Sequence, residues 1–143
     1  MQSIRLSTVT KNTSPYRTFP RLVLLAACST LWLTASQAWA GDATKTVMMN
    51  DAMKFVPASV TIHAGDTVEW KNGSVLIHTV TADASLASDT ANVHLPAGAT
   101  PFNSGNIEAK GTFSHTFTTP GTYKYFCIPH EGVGMVGEVV VQP

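Results

Sequence analysis

Arginine is absent from this 143-residue chain beyond position 40, and acidic residues are absent before position 42. Residues 1–40 carry the cations Arg5, Lys11, Arg17 and Arg21, whereas residues 41–143 hold five lysines and all nine carboxylates, a formal charge of −4. An acidic domain without arginine lacks the clustered cations that phosphate-backbone binding requires, which argues against a nucleic-acid partner. Cysteine is nearly missing as well: Cys28 and Cys127 are the two in the chain. No long apolar run occurs. The stretch from Leu22 to Leu33 is broken by Ser29 and Thr30 and followed by Thr34, Ser36 and Gln37, whereas a spanning helix needs about 20 apolar residues. No segment sustains a helical period, and no internal repeat or low-complexity tract is present,.

What is present begins with a leader. Scattered basic residues, a short apolar core and the small residues of Ala38-Trp39-Ala40 before Gly41 predict an export signal over residues 1–40, removed after Ala40. The mature domain is then residues 41–143, with no membrane span, destined for a compartment outside the cytoplasm. Leu25-Ala26-Ala27-Cys28 resembles a lipoprotein cleavage box, but only six residues separate Cys28 from Arg21. Cleavage after Ala40 ranks above it, and in the other case Cys28 becomes a lipid anchor.

Removal of the leader leaves Cys127 as a lone thiol in a compartment that favours disulfides. Three readings compete: an inert buried thiol, a reactive unpaired thiol, or a metal ligand. The third removes the anomaly, because a coordinated thiolate is chemically occupied.

The mature chain alternates short β-prone runs with turn residues. Runs are expected at Thr44–Met49, 59–62, 67–70, Val75–Val80, 112–117, 122–127 and 136–141, with turns at Ala64-Gly65-Asp66, Lys71-Asn72-Gly73 and Pro120-Gly121,. Residues 81–110 are punctuated by Pro96, Gly98, Pro101 and Gly105 and read as loops with a short helical turn. The expectation is an all-β sandwich of seven or eight strands. Met48 and Met49 are adjacent on the first strand, so at most one faces the core.

The informative stretch is Cys127-Ile128-Pro129-His130-Glu131-Gly132-Val133-Gly134-Met135. It places a thiolate, an imidazole and a thioether at the end of a strand and in the loop that follows. A second imidazole is expected from His78, after Val75-Leu76-Ile77 on an adjacent strand. Taken singly, His78 reads as a half-buried histidine, and Met135 and Cys127 as core packing. Taken together, two imidazoles, one thiolate and a thioether form the donor set of a mononuclear blue-copper site. Zinc is the rival metal, but its sites prefer closed Cys/His sets and seldom use thioether. Catalytic Cys-His chemistry requires an orienting base and an oxyanion site, and nothing after Cys127 points to either, so no enzyme activity is expected. His63, His94 and His115 read as solvent-facing or hydrogen-bonded residues.

From Met53-Lys54-Phe55-Val56-Pro57 to the C-terminus, the chain resembles the plastocyanin branch of the cupredoxins. The spacing Cys-x-x-His-x-x-x-x-Met, with proline before the histidine and a Gly-x-Gly-Met ending, carries the likeness, and amicyanin-like relatives have a shorter loop there. The resemblance implies a Greek-key sandwich, one type 1 copper ion on His78, Cys127, His130 and Met135, and a one-electron carrier. It also implies redox partners docking around His130, with Met53, Leu76, Ile77, Pro129 and Val133 as rim candidates. The family usually places asparagine after the first histidine to tie the ligand loops together. Thr79, with a shorter reach, stands here. Phe126 replaces the tyrosine of plant plastocyanins, and only Asp83 stands where they carry acidic runs, so a bacterial periplasm is the expected setting. No feature points to an oligomer, and a monomer is expected. The competing function is copper delivery or storage on the same scaffold. Exported delivery proteins often rely on Met and His that leave Cu(I) exchangeable, whereas Cys127 favours the carrier.

Overall fold

The computed structural model describes residues 43–143. The expected leader, its cleavage point and Cys28 lie outside the described residues. Nine strands are present among them: β1 (Thr44–Met49), β2 (Phe55–Val56), β3 (Ser59–His63), β4 (Thr67–Asn72), β5 (Thr81–Ala82), β6 (Phe102–Asn103), β7 (Thr112–Thr116), β8 (Gly121–Phe126) and β9 (Val136–Gln142). They form two sheets, ordered β2-β1-β4-β7 and β3-β9-β8-β5-β6. β3 leaves the first sheet for the second and β4 returns, so β1 lies parallel to β4 and β3 parallel to β9. Such crossings are the mark of a Greek-key sandwich. The count departs from seven or eight because β2, β5 and β6, each two residues long, are added while the run expected at Val75–Val80 is not a strand. No helix of the described residues is long and apolar enough to cross a membrane.

Period-2 alternation explains which faces are buried. Val47 and Met49 of β1 and Val68 and Trp70 of β4 point inward, while Met48 remains 39% exposed. From the opposite sheet, Tyr123 and Tyr125 of β8 and Val139 and Val141 of β9 close the core. Trp70 is its centre: the indole Nε1 donates to the Tyr125 hydroxyl at 3.0 Å, and the two rings meet edge to face at 5.3 Å. That bond satisfies two polar groups that burial would otherwise penalise. Gly137 makes room for the tyrosine, since a Cβ there would lie 2.5 Å from Tyr125 Cζ. Asp66 accepts from the backbone N–H of His63 at 2.9 Å and Ala43 at 3.1 Å, bolting the start of β1 to the β3–β4 turn.

The segment expected as a strand over Val75–Val80 is not one. His78 makes a single bridge to Ile107, and the rest is irregular. Its β-prone residues find no partner strand: Val75 is 84% exposed and Ile77 42%. Asn72 accounts for the departure. β4 runs on through it, so the turn starts later than expected, and its side chain then holds the loop by donating to Leu76 O and accepting from Ser74 N–H. Within residues 81–110 two single 3₁₀ turns occur, Ala84–Leu86 and Thr90–Asn92, capped by Asp83 and Asp89.

Candidate metal centre

Cys127 follows β8 directly and opens a tight stretch, Ile128–Val133, that carries His130. Pro129 stiffens its first turn, and Gly134 ends it in the left-handed region at φ 74°, a conformation open to glycine at little cost. Met135 then precedes β9. Three backbone bonds close the loop on itself: His130 N–H to Cys127 O at 3.0 Å, Met135 N–H to His130 O at 3.2 Å, and Cys127 N–H to Met135 O at 3.1 Å. His78 arrives from the loop after β4. Reciprocal backbone bonds with Ile107, 3.2 and 2.8 Å long, set its position.

This brings together three of the four residues singled out from the sequence by direct contact. Cys127 Sγ lies 3.6 Å from His78 Nδ1 and 3.3 Å from His130 Nδ1, and the three potential ligand atoms all fall within 4.8 Å of one another. Bonds of about 2.0–2.3 Å to nitrogen and sulfur set such atoms about 3.6–3.8 Å apart around one tetrahedral or trigonal ion. The observed separations match within a few tenths of an ångström, so the residues fit a single small ion. Met135 is fully buried beside them in sequence, tied by its backbone to Cys127 and His130. His78 and Cys127 are fully buried, whereas His130 is partly exposed.

Burial keeps the donors uncharged. Burial pushes the Cys127 thiol above its ordinary value, and hydrogen bonds from Thr79 and His130 only partly offset this. Burial likewise lowers His78, with His130 beside it adding to the effect against the opposing pull of Asp51 and Asn50. The pocket thus offers a neutral imidazole lone pair at His78 and a thiol that ionises readily once a metal charge is present.

Around the cluster lie residues that the sequence did not single out, and one it did. Thr79 donates its backbone N–H to Cys127 Sγ at 3.3 Å, and its hydroxyl accepts from Ile128 N–H at 2.8 Å. The threonine therefore reaches far enough to tie the two loops. Glu131, 8% exposed, accepts from Ser88 N–H, Asp89 N–H and the Asn92 amide at 2.8, 3.0 and 3.1 Å. Its burial opposes ionisation, but those donors outweigh it and hold the carboxyl below its usual range. Ser74 and Asn72 are buried behind His78, with Ser74 Oγ 2.9 Å from His78 Nε2. Lys54 Nζ caps Val133 O and Gly134 O at 3.4 and 3.3 Å. No spacing rule announced these contacts; Asn72-Gly73 read only as a turn.

Of the rim candidates, Ile77, Pro129 and Val133 are exposed and Met53 and Leu76 half-buried. Val75 is the most exposed large apolar residue among those described. His63 and His94 are exposed, and His115 is half-buried, stacked on Phe102 at 4.2 Å. None of the three joins the cluster.

A Greek-key sandwich with a buried thiol and two imidazoles gathered where β8 ends defines a cupredoxin. The chain belongs to the plastocyanin/azurin family of copper-binding proteins, whose family model matches residues 42–142. It is 40% identical over 125 residues to a plastocyanin of Prochlorothrix hollandica, a match spanning 85% of this chain and 88% of that one. It is 39% identical over 92 residues to a plastocyanin of Scenedesmus fuscus, spanning 64% and 89%. Among solved structures, the oxidised form of an amicyanin mutant matches with a TM-score of 0.54 and 30% identity, covering 68% of this chain and 81% of that one.

Proposed function

We propose that the protein is an exported one-electron carrier that holds a single type 1 copper ion on His78, Cys127, His130 and Met135. The ion supplies the Cu(I)/Cu(II) couple; the chain supplies its setting. The observation that carries this reading is the buried, unpaired Cys127 sulfur lying against two imidazole nitrogens. The stapled Cys127–Met135 loop and the fully buried core around it resist rearrangement, and a rigid compromise geometry lets the ion change charge with little movement. His130, the candidate ligand with solvent access, is the exit for the electron. Exposed Val75, Ile77, Pro129 and Val133 offer the small apolar surface that a short-lived redox encounter needs. The kinship to plastocyanins supports transfer between partner proteins over any enzyme activity. The leader over residues 1–40 and the absence of plant-type acidic runs favour a mature domain, residues 41–143, in a bacterial periplasm.

Adding Cu(II) to the purified metal-free protein tests the reading. An intense blue colour that disappears in Cys127→Ser, with copper retained after ascorbate reduction, is expected. A colourless complex would refute the thiolate site. Ready surrender of the reduced ion to a competing chelator would replace the carrier with copper delivery.

A further inference from the structure

Behind His78 lies a chain of three buried polar residues. His78 is 0%, Ser74 4% and Asn72 2% exposed. Ser74 Oγ is 2.9 Å from His78 Nε2, on the far side of the ring from the nitrogen facing Cys127. Ser74 Oγ is in turn 2.8 Å from Asn72 Oδ1.

The direction of each bond follows from what its neighbours can do. Asn72 Nδ2 faces Leu76 O at 2.7 Å and Ile107 O at 2.9 Å. Carbonyls only accept, so the amide orientation is set and the atom toward Ser74 must be Oδ1. Oδ1 also only accepts, and it takes the Ser74 backbone N–H at 2.9 Å and the Ser74 hydroxyl proton. The hydroxyl has one proton. A second carbonyl, Leu76 O, stands 3.4 Å from Ser74 Oγ, and either acceptor draws the proton away from the imidazole. The Ser74 oxygen is left to receive, from Leu76 N–H at 3.1 Å and from Nε2 of His78. No buried side-chain nitrogen or oxygen of the described residues is left without a partner.

We infer that Ser74, held by Asn72, is a positioning residue for His78: it takes the Nε2 proton, fixes one imidazole tautomer, and leaves the Nδ1 lone pair bare toward the Cys127 sulfur. The inference deepens the copper-carrier reading and rests on it for its redox consequence. A ligand imidazole whose other N–H is held by an acceptor is oriented and made more basic, which favours the more highly charged ion. Ser74 therefore lowers the reduction potential as well as raising affinity.

The test has two readouts. In the metal-free protein, nitrogen–proton correlation spectra of the imidazoles are expected to show His78 as the single Nε2–H tautomer with a slowly exchanging proton. Ser74→Ala should yield mixed tautomers or fast exchange, and Ser74→Thr, which keeps a hydroxyl, should restore the pattern. In competition titrations, Ser74→Ala is expected to weaken Cu(II) binding about 10–100-fold, the usual effect of losing such a partner. If Cu(I) affinity is unchanged, each tenfold loss raises the potential by about 59 mV, as for any one-electron couple. A wild-type His78 carrying its proton on Nδ1, or Ser74→Ala matching wild type in tautomer and Cu(II) affinity, overturns the inference. Should Ser74→Ala fail to fold, the wild-type spectrum alone decides. Failure of the wild type to turn blue with Cu(II) refutes the carrier reading, and the metal-free spectrum still judges the tautomer.

Discussion

Replacing Thr79 with valine probes how the two ligand loops are joined. The substitution keeps shape and removes one oxygen, which accepts from Ile128 N–H at 2.8 Å. The Thr81 hydroxyl, 3.1 Å from Thr79 Oγ1, keeps an alternative acceptor in Asn103 Oδ1 at 3.1 Å. The backbone bond from Thr79 N–H to Cys127 Sγ is untouched by the side-chain change. The loss is therefore one partly buried N–H left without an acceptor, which costs about 1–3 kcal/mol. In a domain of this size each kcal/mol lowers Tm by about 4–8 °C, so a loss of about 2 kcal/mol shifts it by about 8–16 °C. Denaturant unfolding of the metal-free protein measures this, with a lower midpoint and an unchanged slope. If about 0.5 kcal/mol of that loss differs between the two oxidation states, the potential of the copper-loaded protein moves by about 20 mV. A midpoint indistinguishable from wild type refutes the tie. Thr79→Asn, which supplies a longer acceptor, should recover stability while still shifting the potential.

Other substitutions examine other parts of the molecule. Glu131→Gln sets an amide against one of the N–H groups the carboxylate now accepts from, and should lower Tm at neutral pH. Because the folded carboxyl titrates below its usual value, its stabilisation is present above the unfolded value of about 4.3 and disappears as pH falls through the folded one. Wild type and variant should thus converge in acid, and a pH-independent gap in Tm contradicts the charge-assisted clamp. Gly137→Ala forces a Cβ against the Tyr125 ring and should cost about 1–3 kcal/mol by overpacking, measured by denaturant unfolding; a neutral result means the ring moves freely. Ile77→Lys, at a 42% exposed position, should slow electron exchange with a partner and leave the blue absorption unchanged. Equal exchange rates would dismiss that patch as a docking surface.

Alternation in the sequence identified β1, β3, β4, β7, β8 and β9, because a strand buried on one face writes its register as a period of two. The compact run from Cys127 to Met135 marked the candidate metal centre for a related reason: a strand end followed by a short loop keeps near neighbours in sequence near in space. The same logic misread Val75–Val80 as a strand. β-branched residues there satisfy local propensity, but with no partner strand Val75 and Ile77 face solvent while Thr79 and Val80 turn inward, and propensity is weak against pairing.

By itself, then, the sequence pointed to the sandwich, to the candidate donor set and, with the expected leader removed, to the lone thiol that makes a metal the simplest account of it. Only the tertiary structure decided how those donors are held: Ser74 and Asn72 behind His78, Thr79 across to Ile128, and Glu131 onto the 88–92 segment. These partners join residues up to 49 positions apart, and their hydrogen bonds obey no period. A polar side chain carries no mark of its partner until folding removes water and leaves it one place to bond.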